Sequence, residues 1–274
     1  DKMKRISPMR NIKNFARALK RKVSEKGPSS NVPKIFYCHV PKCAGTSVTK
    51  TIRKKMFPFY RAETFGFNRR ACRQSSQVFS LDEMRVREIV LSYNLSMPQN
   101  YFGSGHVYCR PNLVESHMNE WDFVTILRNP IDRWISEYVY NTYKNRGLGK
   151  NTLPLEDYLV SSIGKHTGIS FIKYFSSIPS DYVGNFDEFV DEAVANLGRF
   201  SVIGTLENLE GWCESFKANY NKDISIQRSN MSPNLEAVDR ILSNDSMLRK
   251  IEMLCEPDLH IYHQIVEKTK VIAR

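Results

Sequence analysis

The stretch FYCHVPKCAGTSV, residues 36–48, constrains the fold of this chain more than any other segment. It overlaps a continuous apolar run, KIFYCHV, of the kind that a strand buried on both faces requires. A helix is predicted to follow from about residue 47 to 56. A helix that starts after a short loop presents unpaired backbone N–H groups and the positive end of its dipole, so the segment predicts an anion site. The loop between strand and helix contains Lys42, Cys43, Ala44, Gly45, Thr46 and Ser47.

This loop differs from the common nucleotide-binding loop. In G-x-x-x-x-G-K-[ST] the lysine follows the last glycine and the hydroxyl residue binds Mg²⁺. Here Lys42 precedes Gly45, no second glycine stands four or five residues upstream, and Cys43 occupies the position of the magnesium-binding hydroxyl. The loop therefore suits a phosphate-like group without Mg-ATP. An ordinary strand-to-helix turn that contains a lysine is the alternative.

Further along the chain, apolar strand patterns alternate with helical ones. Strands are predicted at 101–108, 122–128 and 199–205, and residues 57–80 read as basic, aromatic and irregular. Helices are predicted from a capping box formed by Ser80 and Glu83, from Pro130, and near 154–162, 186–197, 206–219, 233–243, 246–255 and 257–270. Such alternation predicts an α/β fold, a three-layer sandwich with a central parallel sheet.

A second constellation is LRNPIDRWISEY, residues 127–138. Arg128 closes a buried strand, where parallel sheets place ligand-binding groups. Ser136 follows about two helical turns later, so the two side chains could grip one phosphate together. Arg133 could assist them or pair with Glu137. A plain helix start with a surface salt bridge is the alternative interpretation.

The motif HVPKCAGTS followed by LRNPIDRWISEY resembles the carbohydrate sulfotransferases that use 3′-phosphoadenosine-5′-phosphosulfate (PAPS), most closely the heparan sulfate 2-O- and 6-O-sulfotransferase branch. The resemblance implies a P-loop-kinase-like sulfotransferase fold and 3′-phosphoadenosine-5′-phosphate (PAP) as the product. It implies that the loop from Lys42 to Ser47 binds the 5′-phosphosulfate and that Arg128 and Ser136 bind the 3′-phosphate. It also suggests cofactor contacts in the polar loop 228–234, for which a capped helix start is the alternative. The residues concerned are Arg228, Asn230 and Ser232.

His106, in the short stretch GSGHV, is the candidate base. Sulfuryl transfer to a hydroxyl needs a group that accepts the hydroxyl proton, and histidine titrates near neutral pH. The 2-O-sulfotransferases resemble this stretch but have another histidine two residues earlier, where this chain has Ser104. Lys42 is the second candidate catalytic residue, because it could stabilise charge on the leaving phosphate. The rivals for the base are Glu115, His117 and Glu137.

The charge distribution favours an anionic acceptor. The net charge is +11, with +9 in residues 1–34, +1 from Lys42, +7 in residues 50–73 and −6 in residues 74–274. Such local positive charge indicates one anionic partner rather than general coating by nucleic acid. An anionic glycan, with aromatic residues such as Phe65 and Phe67 stacking on its sugars, is therefore the expected acceptor. The candidate contacts are Arg61, Arg69, Arg70, Arg73 and Arg110.

Other classes of function stay open at this point. Within sulfotransferases the acceptor could be a small molecule, a lipid or a protein tyrosine. The chain could instead be a P-loop nucleotide kinase-like enzyme or a non-catalytic polyanion-binding protein. No CxxC pair occurs among the six cysteines, so no metal site is expected, and free thiols are favoured over disulfides.

The first 33 residues form a separate segment in this interpretation, before a sulfotransferase domain at 34–274. Residues 9–24 have the pattern of a basic amphipathic helix, which could lie on an anionic membrane surface or dock on its own domain. Neither a signal peptide nor an apolar run long enough to cross a membrane is apparent. The expected location is cytoplasmic, or the Golgi lumen if the chain is a trimmed catalytic domain.

Overall fold

A computed structural model describes residues 32–58, 64–144, 149–226 and 234–272 of the chain. Its centre is a single sheet of five parallel strands in the spatial order β2-β3-β1-β4-β5. The strands are β1 (Lys34–Cys38), β2 (Thr64–Phe65), β3 (Phe102–Gly105), β4 (Trp121–Leu127) and β5 (Val202–Thr205). The predicted α/β fold with a central parallel sheet is therefore confirmed.

Twelve helices surround the sheet within the described ranges. The first five are α1 (Gly45–Met56), α2 (Arg69–Phe79), α3 (Glu83–Leu95), α4 (Pro111–His117) and α5 (Pro130–Tyr143). The others are α6 (Leu155–Val160), α7 (Ser162–Gly168), α8 (Ser170–Phe175), α9 (Asp187–Leu197), α10 (Leu209–Tyr220), α11 (Leu235–Leu242) and α12 (Asp245–Ile272).

The central strand β1 is buried on both faces, which explains its unbroken apolar sequence. Phe36 and Cys38 pack into one hydrophobic cluster, whereas Ile35 and Tyr37 pack into another on the opposite face. Successive side chains of a strand point to opposite faces, so one apolar run fills both layers. This arrangement yields the predicted three-layer sandwich.

The strand register brings the functional loops to one edge. Cys38, the last residue of β1, pairs with Gly105 of β3 on one side and with Thr125 of β4 on the other. All three strands run in the same direction, so the segments that follow them emerge at the same edge of the sheet. These segments contain the glycine loop, His106 and Arg128.

Several local predictions were wrong. Residues 57–80 are not irregular throughout, because they include β2 and α2. Ser80 does not cap α3: it ends α2 in a left-handed conformation, and the carboxylate of Asp82 accepts the N–H groups of Met84 and Arg85 instead. The two helices predicted near the C-terminus are one helix, α12, which continues through Pro257.

Close packing between α7 and α12 leads to a stability prediction. A Cβ added at Gly168 would lie 2.2 Å from the carbonyl oxygen of Leu254, whereas one added at Gly66 would meet its nearest neighbour at 3.8 Å. We expect Gly168→Ala to lower the free energy of unfolding by about 1–3 kcal/mol, because this clash outweighs the alanine helix preference. Urea denaturation measures the change. Gly66→Ala is the control, and equal stabilities of the two variants would contradict the prediction.

Candidate active site

The loop between β1 and α1 has an unusual backbone. Lys42 and Ala44 have φ angles of 67° and 56°, in the left-handed region that residues other than glycine rarely adopt. Ala44 is the N-cap of α1, and its methyl side chain cannot cap the helix. The first N–H groups of a helix have no intrahelical acceptor, so those of Gly45 and Thr46 are available to an anion.

The side chain of Lys42 extends from this loop towards α5. Its Nζ is 3.8 Å from the centre of the Tyr140 ring, which is a cation–π distance. Burial lowers the pKa of Lys42, and the carboxylate of Glu137 partly offsets this effect. The carbonyl of Lys42 accepts a hydrogen bond of 3.5 Å from Nη1 of Arg128. The two predicted anion-binding cations therefore occupy one region, although they are 86 residues apart in the chain.

Arg128 is oriented by the segment that follows β4. The side chain of Asn129 caps α5, and its backbone N–H donates to Glu207 at 2.9 Å. A second oxygen of Glu207 accepts from the Tyr262 hydroxyl, also at 2.9 Å. The turn that contains Arg128 is thus held to β5 and α12 through a single carboxylate.

His106 follows β3 directly, and a hydrogen bond determines which of its nitrogens can accept a proton. Its Nδ1 is 2.7 Å from the carbonyl oxygen of His39. A carbonyl can only accept, so Nδ1 carries the proton and Nε2 carries the free lone pair of the neutral ring. The carbonyl of His106 in turn accepts a 2.8 Å hydrogen bond from Arg87.

His39 is the second histidine at this edge. Its ring centre is 4.1 Å from that of His106, and its N–H donates to the Gly105 carbonyl at 3.1 Å. Burial, with further contributions from His106 and Lys42, lowers the pKa of His39 to about 3. A Cβ at position 45 would lie 1.8 Å from the His39 ring, so glycine is required there by the imidazole.

A cleft of about 450 Å³ extends from the start of α1 to His106. It combines cations, hydroxyl groups and one aromatic ring, and Thr49 donates to Ser104 at 3.1 Å within it. Its lining consists of His39, Thr46, Thr49, Lys50, Arg53, Phe67, Arg69, Arg87, Ser104, Gly105 and His106.

Comparison with known proteins agrees with this arrangement. A family model described as the sulfotransferase family matches residues 30–270. The chain belongs to the sulfotransferase family. No curated protein matches the chain significantly.

The predicted donor residues of this sulfotransferase occupy different environments. Thr46 lies at the cleft, and Ser136 is half-buried on α5. The side chain of Cys43, by contrast, is fully buried, and its Sγ contacts the Pro41 carbonyl at 3.6 Å. Its N–H donates to Val40, so the residue contributes to the hydrophobic core rather than to the cleft. Arg228, Asn230 and Ser232 lie outside the described residues.

The residues predicted to bind the acceptor also lie in different places. Arg69 lines the cleft, and Arg70 is exposed on α2 outside its lining. Arg73 is 3.8 Å from Glu83, whereas Arg110 lies 3.3 Å from the buried Glu88 and over the ring of Tyr108. Arg61 lies outside the described residues, as does the predicted N-terminal helix.

The rivals of His106 have other partners. Glu137 forms a 2.8 Å ion pair with the fully buried Arg133, which resolves the alternative roles of that arginine. Although burial alone would lower the pKa of Arg133, the carboxylates of Glu137 and Asp258 raise it. Glu115 pairs with Arg199 at 2.6 Å, and His117 contacts Ser92 at 3.2 Å.

Sequence reasoning gave no role to three charged or polar residues of the cleft, Lys50, Arg87 and His39, whereas Arg53 was already among the basic residues expected near the acceptor. Helical periodicity could have found Lys50, since it lies with Arg53 on the exposed side of α1, three residues away. Arg87 lies in α3, far along the chain, and no pattern connected it to His106. His39 belongs to the quoted motif, but its role depends on the pairing of β1 with β3.

The described residues lack both a metal-binding cluster and a membrane-spanning helix. They contain no group of three or more His, Cys, Asp and Glu residues placed to hold a metal ion. Among their helices, none has both the length and the apolar composition that a membrane crossing requires. The six cysteines are free thiols.

The lowered pKa of His39 leads to a prediction for stability. The unfolded chain binds a proton near pH 6.5, whereas folded His39 resists protonation down to about pH 3. The contribution of His39 to the free energy of unfolding is therefore complete above pH 6.5. It decreases as the pH falls below this value, by up to about 1.4 kcal/mol per pH unit. Urea denaturation of the wild type and His39→Gln between pH 7 and 4 measures it. The variant should show the shallower decline, and parallel curves would contradict the prediction.

Proposed function

We propose that this sulfotransferase moves a sulfuryl group from PAPS to a hydroxyl of an anionic glycan, with His106 as the base. The observation that carries the proposal is the hydrogen bond from Nδ1 of His106 to the His39 carbonyl. It leaves Nε2 as the proton acceptor beside a cleft that starts at the anion loop. The heparan sulfate 2-O- and 6-O-sulfotransferases are the branch that guides the choice of acceptor.

The donor fits the residues around the loop. The uncapped start of α1 suits an anionic phosphosulfate, because Ala44 leaves backbone N–H groups without a side-chain acceptor. Lys42 and Arg128 add positive charge at the same edge of the sheet. When bound, PAPS supplies an activated sulfuryl group whose S–O bond to the phosphate breaks as a bond to the acceptor oxygen forms, leaving PAP. Lys42 would stabilise charge on the phosphate oxygen.

His106 is suited to accept the acceptor proton at neutral pH. Burial lowers its pKa below the ordinary value, although the hydrogen bond to His39 acts in the opposite direction. The ring is therefore neutral at pH 7, with its lone pair on Nε2. General bases positioned in this way contribute about 10²–10⁴-fold to a rate.

The cleft favours an acceptor that carries negative charge. Lys50, Arg53 and Arg69 are exposed along it, and the ring of Phe67 offers an apolar surface for a sugar face. Arg87 is less available, because it forms an ion pair with Glu83. A uronic acid or an already sulfated sugar would satisfy the free cations.

The first test of this function replaces its two central residues. We expect His106→Ala and Lys42→Ala each to lower kcat for sulfuryl transfer from PAPS by about 10²–10³-fold. A panel of desulfated and sulfated glycans, analysed by mass spectrometry, provides the acceptors and identifies the product. His117→Ala is the matched histidine control and should retain wild-type activity. Full activity of both central variants would contradict the proposed mechanism.

A second test concerns the acceptor. We expect Arg53→Glu and Arg69→Glu each to raise the KM for an anionic glycan at least about tenfold, because each reverses a charge at the cleft. The KM for PAPS should change much less. Arg249→Glu, on the exposed surface of α12, is the control. An unchanged acceptor KM in both cleft variants would show that the glycan binds elsewhere.

A further inference from the structure

The imidazole of His39 is a polar group of the cleft that the proposed function leaves without a role. Only its backbone has been used so far, since its carbonyl orients His106 and its N–H pairs with Gly105. Within the described part of the chain, neither ring nitrogen of His39 forms a hydrogen bond. The ring nevertheless lines the cleft next to His106.

One edge of this ring faces the anion loop. A Cβ built on Gly45 would lie 1.8 Å from Cδ2 and 1.9 Å from Nε2 of His39. The Cδ2–Nε2 edge of the ring therefore packs against Gly45, the first residue of α1, where the helix has N–H groups without an intrahelical acceptor. The ring approaches this closely only because position 45 has no side chain.

The surroundings of the ring also determine what it can offer. Lys42 and His106 are its charged and titratable neighbours, and both oppose a positive charge on His39. A neutral imidazole has one N–H donor and one acceptor nitrogen. Beside a loop built for an anion, the nitrogen that faces the loop serves as the donor.

We propose that His39 is a catalytic residue whose Nε2–H donates a hydrogen bond to an oxygen of the sulfuryl group during transfer. This inference rests on the proposed function. The proton stays on His39 throughout. The S–O bond to the phosphate breaks with its electron pair on the phosphate oxygen, the S–O bond to the acceptor forms, and the acceptor proton goes to Nε2 of His106.

Substitution by two amides separates this role from a packing role. The amide nitrogen of glutamine can occupy the position of Nε2, whereas that of asparagine is nearer to Nδ1. Any residue at position 39 retains the carbonyl that orients His106. We expect His39→Asn and His39→Ala to lower kcat by about 10²-fold, and His39→Gln to stay within about tenfold of wild type.

Binding of PAP provides the second measurement. PAP lacks the sulfuryl group, so its Kd, measured by calorimetry, should change less than about threefold in all three variants. That result would also show that the variants fold. His260→Asn, at an exposed histidine of α12, is the control for the substitution itself.

Each outcome bears on one claim. Equal kcat values for His39→Asn and His39→Gln, or parallel losses of PAP affinity and kcat, would overturn the catalytic role of His39. A wild-type enzyme that binds PAP but transfers sulfuryl to no glycan would overturn the proposed function instead. Transfer by the wild type, with a loss confined to kcat in the Asn and Ala variants, supports both.

Discussion

The active edge of this sulfotransferase depends on the pairing of β1 with β3, which continues one residue beyond the strands. His39 donates its N–H to Gly105 and accepts Nδ1–H of His106 through its carbonyl. These two hydrogen bonds join the strand that leads into the anion loop to the strand that carries the candidate base. The first bond sets the spacing of the two strand ends, and the second holds the His106 ring against the backbone that leads into the loop.

Positive charge and desolvation act together at this edge. The loop, Lys42 and Arg128 would attract an anionic donor, and the same burial that strengthens those interactions lowers the pKa of both histidines. A protonated imidazole at position 106 would have no lone pair with which to accept the hydroxyl proton of the acceptor. The environment therefore keeps the histidines neutral while it retains the cations.

Much of the fold follows from sequence pattern. The apolar run of β1, the glycine loop and the Asn-Pro start of α5 are local signals, and each predicted its element within a few residues. Ser80 shows where such signals fail, because Asp82 is an equally good cap and lies closer to the apolar residues of α3. The continuation of α12 through Pro257 depends on tertiary packing, since Asp258 accepts the N–H groups of Phe171 and Ile172 in the core.

By itself, the sequence determined the class of fold and predicted the anion loop and the two donor motifs, because these depend on residues that are neighbours in the chain. Only the tertiary structure decided which side chains share the cleft. Arg87, His106 and His39 come from three separate segments, and Cys43, inside the motif itself, turns into the core. The physical reason is that strand pairing and helix packing bring together residues that are far apart in the chain, and local sequence patterns do not report these long-range contacts.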